Sequence, residues 1–147
     1  MVQSDLDGVM AIEGVSFPTP WSRGMFIEDF PRDFSSTLVA AGTEDEVLGY
    51  SVCWTIAGES HLLNIAVHPS RRGEGIGRAL LSECIRRSAR SGASLIFLEV
   101  RAGNEAAQRL YRSMGFAFRG VRKGYYTDTG EDAVIFDREV RKSDAAR

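Results

Sequence analysis

Three glycines fall within five residues, Gly73, Gly75 and Gly77, between a strand-like run ending in Ile65-Ala66-Val67 and a helix-like run. Glycine lets the backbone approach a ligand closely and take positive φ. The first N–H groups of the following helix lack intrahelical partners and carry partial positive charge. Together these features make a cradle for an anion, most naturally a phosphate. Charge agrees: residues 71–90 hold six arginines (71, 72, 78, 86, 87 and 90) against Glu74 and Glu83, a net of +4 in a chain whose formal charge is −2. The plainer alternative is a glycine turn before a solvated basic helix. No Gly-Lys-Ser or Gly-Lys-Thr follows, so the loop is not a P-loop, and Arg72-Gly73-Glu74-Gly75-Ile76-Gly77 does not fit the G-x-G-x-x-G dinucleotide spacing.

A second candidate is Glu99, inside the apolar run 95–100, where a carboxylate is expensive. Strand alternation sets it on one face with Leu95 and Phe97. Burial is expected to raise its pKa toward a general base's range. The alternative is an ion-paired strand-end carboxylate, with Arg101 or another basic group. Asn104 reads as a helix N-cap. His61 sits near a turn and His68 precedes Pro69 at a strand end, so neither is chosen as a base. No third ligand joins them, so no metal is expected.

These residues need elements to hold them. Residues 5–16, with Leu6, Val9 and Ile12 on one side, predict an amphipathic helix. Pro18 and Pro20 break it, and Ser22 is placed to cap a second short helix through Met25, Phe26 and Phe30. Strands are predicted over 36–41, 47–56 and 60–67, the last stopped by Pro69. A helix follows over 78–90, with Leu80, Leu81, Cys84 and Ile85 on its apolar side, stopped at Ser91-Gly92. The run 94–100 reads as a strand buried on both faces. A helix over 104–114 and strands over 116–126 and 131–140 complete the chain. Helices and strands mix without strict alternation, so an α+β or mixed α/β domain is expected.

Composition sets the outer bounds. The chain has 147 residues, 44% hydrophobic and 26% charged, which fits one globular domain over residues 1–147. A pI of about 5.7 argues against a nucleic-acid partner. No apolar run approaches the roughly 20 residues of a membrane span, and Met1 is followed by acidic and polar residues rather than a signal-like start. Cys53 and Cys84 are spaced neither as a metal site nor as a redox pair and read as reduced, buried residues. A cytoplasmic location is the default that follows.

The spacing Arg72-x-x-Gly75-x-Gly77 after Ile65-Ala66-Val67 resembles the acetyl-CoA signature of the GNAT acyltransferases. Residues 98–116, Leu-Glu-Val-Arg-Ala-Gly-Asn-Glu-Ala-Ala-Gln-Arg-Leu-Tyr-Arg-Ser-Met-Gly-Phe, resemble the second half of that domain and, more narrowly, its RimI-type branch, which acetylates the N-terminal α-amine of a small-subunit ribosomal protein. Pro20-Trp21-Ser22, Leu63-Asn64-Ile65-Ala66-Val67, and Tyr125-Tyr126 followed by Glu131-Asp132-Ala133 are similar to the same branch. The resemblance covers nearly the whole chain. It implies a single GNAT-like domain with a central, mostly antiparallel sheet, splayed at the acetyl-CoA site and flanked by helices. The family normally opens with a strand before the first helix, but only Met1 to Ser4 precede Asp5 here, so that strand is expected to be short, missing or lost to start-site choice. Acetyl-CoA would be held by Ile65, Ala66, Val67, Arg72, Gly73, Glu74, Gly75, Ile76, Gly77, Arg78 and Asn104. Glu99 would match the proton acceptor, acting through water. Tyr111 would match the proton donor to the coenzyme thiolate, a task a phenol of pKa near 10 suits; its alternative is a packed aromatic. Trp21 and Tyr125 would wall the acceptor groove, or else simply pack a loop and a hairpin.

The expected function is acetyl transfer from acetyl-CoA to a protein or peptide N-terminus, a ribosomal protein being one such acceptor, without a metal, a membrane or direct nucleic-acid contact. Two alternatives stay open: acetylation of a small-molecule amine or lysine side chain, and a non-catalytic acyl-CoA sensor. Keeping both Glu99 and Tyr111 counts against the sensor, since binding needs neither. An α-amine pKa of about 7.7–8.0 against ~10.4 for lysine favours the N-terminus.

Overall fold

The computed structural model describes residues 1–146. Helix α1 (Leu6–Ser16) buries Leu6, Val9 and Ile12, the three-residue spacing that sets them on one side. Phe17 then leaves the helix in extended geometry. Ser22, also extended, accepts the Met25 N–H at 3.2 Å and opens α2 (Arg23–Asp29). Three antiparallel strands follow, β1 (Ser35–Ala41), β2 (Val47–Ile56) and β3 (Glu59–Val67). The chain crosses over through α3 (Ile76–Arg90) into β4 (Leu95–Arg101), runs along α4 (Glu105–Ser113), and ends in the hairpin β5 (Ala117–Tyr126) and β6 (Glu131–Glu139). Short 3₁₀ turns lie at Gln3–Asp5, Pro69–Arg71 and Lys142–Ala146.

The six strands form one sheet in the order β1-β2-β3-β4-β6-β5. Only β3 and β4 pair in parallel, as a helical crossover requires. One face carries Leu6, Val9, Ile12 and Phe26 of α1 and α2 against Tyr50, Val52 and Ala66. The other carries Leu80, Leu81, Cys84, Ile85 and Tyr111 of α3 and α4 against Leu62, Ile96, Leu98 and Phe136. Cys53 and Cys84 are free and buried on this second side. Burial pushes their thiols up to about 12 and about 11, so they are inert at neutral pH.

Two expectations are corrected. Strand β4 buries Ile96, Leu98 and Val100, but Leu95, Phe97, Glu99 and Arg101 on its other face are only partly buried, because α1 and α2 lie over β2 and β3 instead. Helix α3 starts at Ile76, two residues early, because left-handed Gly75 already serves as its N-cap. No strand precedes the first helix among the described residues; the Met1 ammonium donates to the Thr37 carbonyl at 3.1 Å, so the chain start lies beside β1.

Gly49 is required by crowding. A Cβ on Gly49 would sit 2.9 Å from the Ala66 carbonyl oxygen and 3.1–3.2 Å from Leu80 and Ile76. This bare stretch of β2 lets the first turn of α3 settle on the sheet. Gly49→Ala is expected to cost about 1–3 kcal/mol, the range for overpacking. Gly14→Ala, with nothing within 4 Å of its would-be Cβ, is expected to stabilise α1 by up to about 1 kcal/mol. Urea denaturation of the two variants checks both signs.

Candidate active site

Strands β3 and β4 are registered at Glu59↔Leu95, Ser60↔Ile96 and His61↔Phe97, and no further. Beyond that point β3 stays with β2 through Val67, and β4 stays with β6 through Arg101. A wedge opens between them. One wall is the β3 edge at Ile65, Ala66 and Val67, which has no β4 partner. A bulge at Leu63, where Val52 pairs with Asn64 but Cys53 with Leu62, resets the alternation. It turns Asn64 and Ala66 to the α1 side with Val52 and Tyr50, while Ile65 packs toward the α3 core.

At the top of the wedge lies the glycine loop. Gly73 and Gly75 have φ of +82° and +85°, and nothing lies within 4 Å of where their Cβ atoms would be. Backbone conformation, not crowding, asks for glycine there, and the space in front is open. Gly77 is already helical, and an added Cβ would make only ordinary contact with Leu110 at 3.5 Å. The Arg72 Nε donates to the Val67 carbonyl at 3.3 Å and ties the loop to β3. Arg78 donates to Ser113 Oγ at 2.7 Å and ties it to the end of α4. The basic patch is smaller than the sequence indicated. Glu74 engages Arg71, and Glu83 engages Arg86 and Arg87. Positive potential at the loop comes from Arg72, Arg78 and the helix amides. Asn104 caps α4 as expected, its Oδ1 accepting the Ala107 N–H at 3.2 Å.

Glu99 stands two residues past the last β3–β4 pair, with its side chain 11% exposed. Its Oε2 is 2.6 Å from His61 Nε2. The His61 ring stacks on Phe97 at 4.4 Å and 14°. The expected upward pKa shift is overturned. The His61 hydrogen bond holds the Glu99 carboxyl below its ordinary value, against the opposing push of burial, and the charges of His61 and Arg122 act the same way. His61 is therefore the site residue that the sequence reading set aside. Its signal is a parallel register that joins residue 61 to residue 97, and no local pattern contains it. Arg101 is not the partner of Glu99. It holds Asp128 at 2.8 Å and lies 4.0 Å over the Tyr126 ring. Arg101, and then Thr19, bring Asp128 down to about 2.

Tyr111 is buried among Phe116 and Phe136. Its hydroxyl makes no hydrogen bond to the described residues and is not among the polar atoms sealed from solvent. Burial, then Tyr126, pushes its pKa up. Tyr126, raised by burial to about 12, also feels Glu99, so one phenol lies within electrostatic reach of both. Trp21 packs on Phe26 at 5.1 Å, and its backbone N–H donates to Glu13. Tyr125 is 43% exposed and meets Tyr126 edge-on. Thr19 donates to Asp128 at 2.8 Å, so the loop bearing Trp21 touches the hairpin turn next to Tyr125. Among the described residues, no three His, Cys, Asp or Glu side chains are grouped to hold a metal. No helix among them is long and apolar enough to cross a bilayer.

The model of the acetyltransferase (GNAT) family matches residues 6–116. The ribosomal protein bS18-alanine N-acetyltransferase of Escherichia coli strain K12 is 36% identical over 135 residues, spanning 90% of this chain and 89% of the relative. The protein of that name from Haemophilus ducreyi is 31% identical over 138 residues, spanning 92% and 94%. The crystal structure of the Escherichia coli ribosomal-protein-S18-alanine N-acetyltransferase superposes with a TM-score of 0.85 at 32% identity, covering 95% of this chain and 90% of that one.

The His61–Glu99 bond makes a pH prediction. A carboxyl held low in the fold stabilises it above the unfolded value of ~4.3, and that increment is lost as pH falls through the folded value. In His61→Ala the strongest downward influence is gone while burial remains. The Glu99 carboxyl carbon, followed by ¹³C NMR, is expected to titrate at higher pH than in the parent. Superimposable titrations would show that the histidine does not set its ionisation.

Proposed function

The chain belongs to the GNAT acetyltransferase family, and on that premise we propose that it acetylates the N-terminal α-amine of a protein, with a ribosomal protein as the acceptor. It is an acetyl-CoA-dependent N-acetyltransferase. The whole of residues 1–147 acts as one such domain, in the cytoplasm where its acceptor is synthesised. One observation carries the reading: β3 loses its β4 partner after His61, and Glu99 stands two residues past that last pair, bound to His61.

The residues present fit the coenzyme. The edge of β3 along Ile65, Ala66 and Val67, which has no β4 partner, is placed to pair with the pantetheine arm as an added strand would. Residues 73–78 offer helix-start amides to the pyrophosphate, with Arg72 and Arg78 adding charge. Glu74 and Ile76 contribute backbone, and Asn104 flanks the arm. The acetyl thioester is the electrophile that bound acetyl-CoA supplies. A β3 backbone N–H stabilises the oxyanion that forms when the amine attacks the thioester carbonyl. Glu99 accepts the proton the amine loses, through water. Tyr111, kept protonated by burial, returns a proton to the departing thiolate. Trp21 and Tyr125 guide the acceptor.

The downward shift of Glu99 bears on the acceptor. A weakly basic carboxylate is poorly matched to a lysine ammonium of pKa ~10.4, but adequate for an α-amine of about 7.7–8.0 that is partly neutral already. A peptide with a free N-terminus should therefore be turned over faster than the same peptide blocked at its N-terminus and carrying an internal lysine. Product mass spectrometry reads this, and the reverse order would reassign the acceptor.

The roles are separable. Glu99→Gln is expected to lower kcat by ~10²–10⁴, the range for a lost general base, with acetyl-CoA binding unchanged and the deficit shrinking as pH rises past the amine pKa. Tyr111→Phe should lower kcat without that alkaline recovery. Gly75→Asp should weaken coenzyme binding by calorimetry, since it strains a positive-φ position and sets a carboxylate against the diphosphate. If folded Glu99→Gln and Tyr111→Phe turn over like the parent, both roles fall.

A further inference from the structure

Glu13 is 1% exposed, on the sheet-facing side of α1 one turn beyond Val9. A leucine there would simply extend the apolar stripe of Leu6, Val9 and Ile12. A carboxylate at such a depth is tolerated only when donors surround it. Glu13 has three, from three separate segments. The Trp21 backbone N–H donates to Oε2 at 2.8 Å, Asn64 Nδ2 donates to Oε1 at 3.0 Å, and the buried Tyr50 hydroxyl also donates to Oε1. Burial, and then the Glu13 charge, push the Tyr50 pKa far up, so this phenol remains a donor.

These partners link the two sides of the candidate site. Trp21 lies in the loop with Pro18 and Pro20, outside any helix or strand. Its backbone is held by Glu13 and its ring by Phe26. Asn64 adjoins Ile65, where the unpartnered β3 edge runs, and reaches Glu13 because the bulge at Leu63 turns it to the α1 side. One carboxylate thus ties the loop that walls the acceptor groove to the strand that walls the wedge.

We propose that Glu13 is a positioning residue for the acceptor: by holding Trp21 against β3 it sets the KM for the amine-bearing peptide while touching neither substrate. The inference rests on reading Trp21 as a wall of the acceptor groove.

The test uses the full chain, a peptide with a free N-terminus and acetyl-CoA. Glu13→Gln keeps the size, but its single amide oxygen cannot accept from all three donors, and with that oxygen kept on Tyr50 and Asn64 its amide nitrogen is left opposite the Trp21 N–H. Peptide KM is expected to rise about tenfold, as for a lost charge-assisted hydrogen bond. The acetyl-CoA KM should stay at the parent value, and hydrogen exchange over residues 17–22 should quicken. Glu13→Asp, which keeps the charge but falls short of Trp21, should do the same and serves if the glutamine variant does not fold. Tyr50→Phe removes a donor away from the loop; it should lower thermal stability and leave peptide KM unchanged. Were both KM values to rise together in every variant, or peptide KM to stay at the parent value in both Glu13 variants, the proposal would be overturned. Trp21→Ala separates the two levels. If it raises peptide KM while the Glu13 variants do not, only the positioning role fails; if it leaves peptide KM unchanged, the groove reading itself fails.

Discussion

The parallel pairing of β3 with β4 stops after three residue pairs, and the rest of the site depends on that stop. Strands that stayed zipped to their ends would leave no free edge, no gap and nowhere for an acyl chain to lie. Each strand has a stronger reason to diverge than to continue. β3 is held along its length by β2, and β4 along its length by β6, while the twist of a sheet steadily rotates neighbouring strands apart. The crossover helix fixes how far they open. Its first turn sits on β2 at Gly49, where a methyl group would collide with the Ala66 carbonyl, so the helix amides arrive at the open end of the wedge.

The two faces of the sheet are held by different forces. On the α3 and α4 side the contacts are almost all apolar, from Leu62 and Ile96 through Leu81 to Phe136. On the α1 and α2 side, three carboxylates of low exposure join segments through hydrogen bonds. Glu13 collects Trp21, Tyr50 and Asn64. Asp29 collects Ser35, Trp54 and Arg32. Glu99 takes His61. Apolar contact gives area without direction, whereas a hydrogen-bonded carboxylate specifies which atoms meet.

Much of the site is legible in the chain. Glycine has few reasons to recur at 73 and 75, and both positions do take positive φ. Asn104 and Ser22 cap the helices their residue types announce, and Glu99 stands out because a carboxylate interrupts an apolar strand. These signals are local, arising from chain geometry within a few residues. The helix and strand spans agree for the same reason, with differences confined to the ends. Where α3 began two residues early, the left-handed glycine that marked the loop turned out to be the helix cap.

The sequence alone determined the elements, the helix caps and the positive-φ glycines at 73 and 75, since periodicity, capping and glycine conformations are properties of neighbours along the chain. Tertiary structure alone decided what surrounds those residues. The sequence can show that Glu99 is in an apolar strand, but not that a histidine 38 positions earlier lies against it, which reverses the direction of its pKa. Nor can it show that a bulge at Leu63 turns Asn64 toward Glu13, or that Arg101 faces Asp128 rather than Glu99. The histidine contact depends on the register between β3 and β4, strands that are joined only through α3. A shift of one residue there would exchange the faces of the sheet and every partner on them.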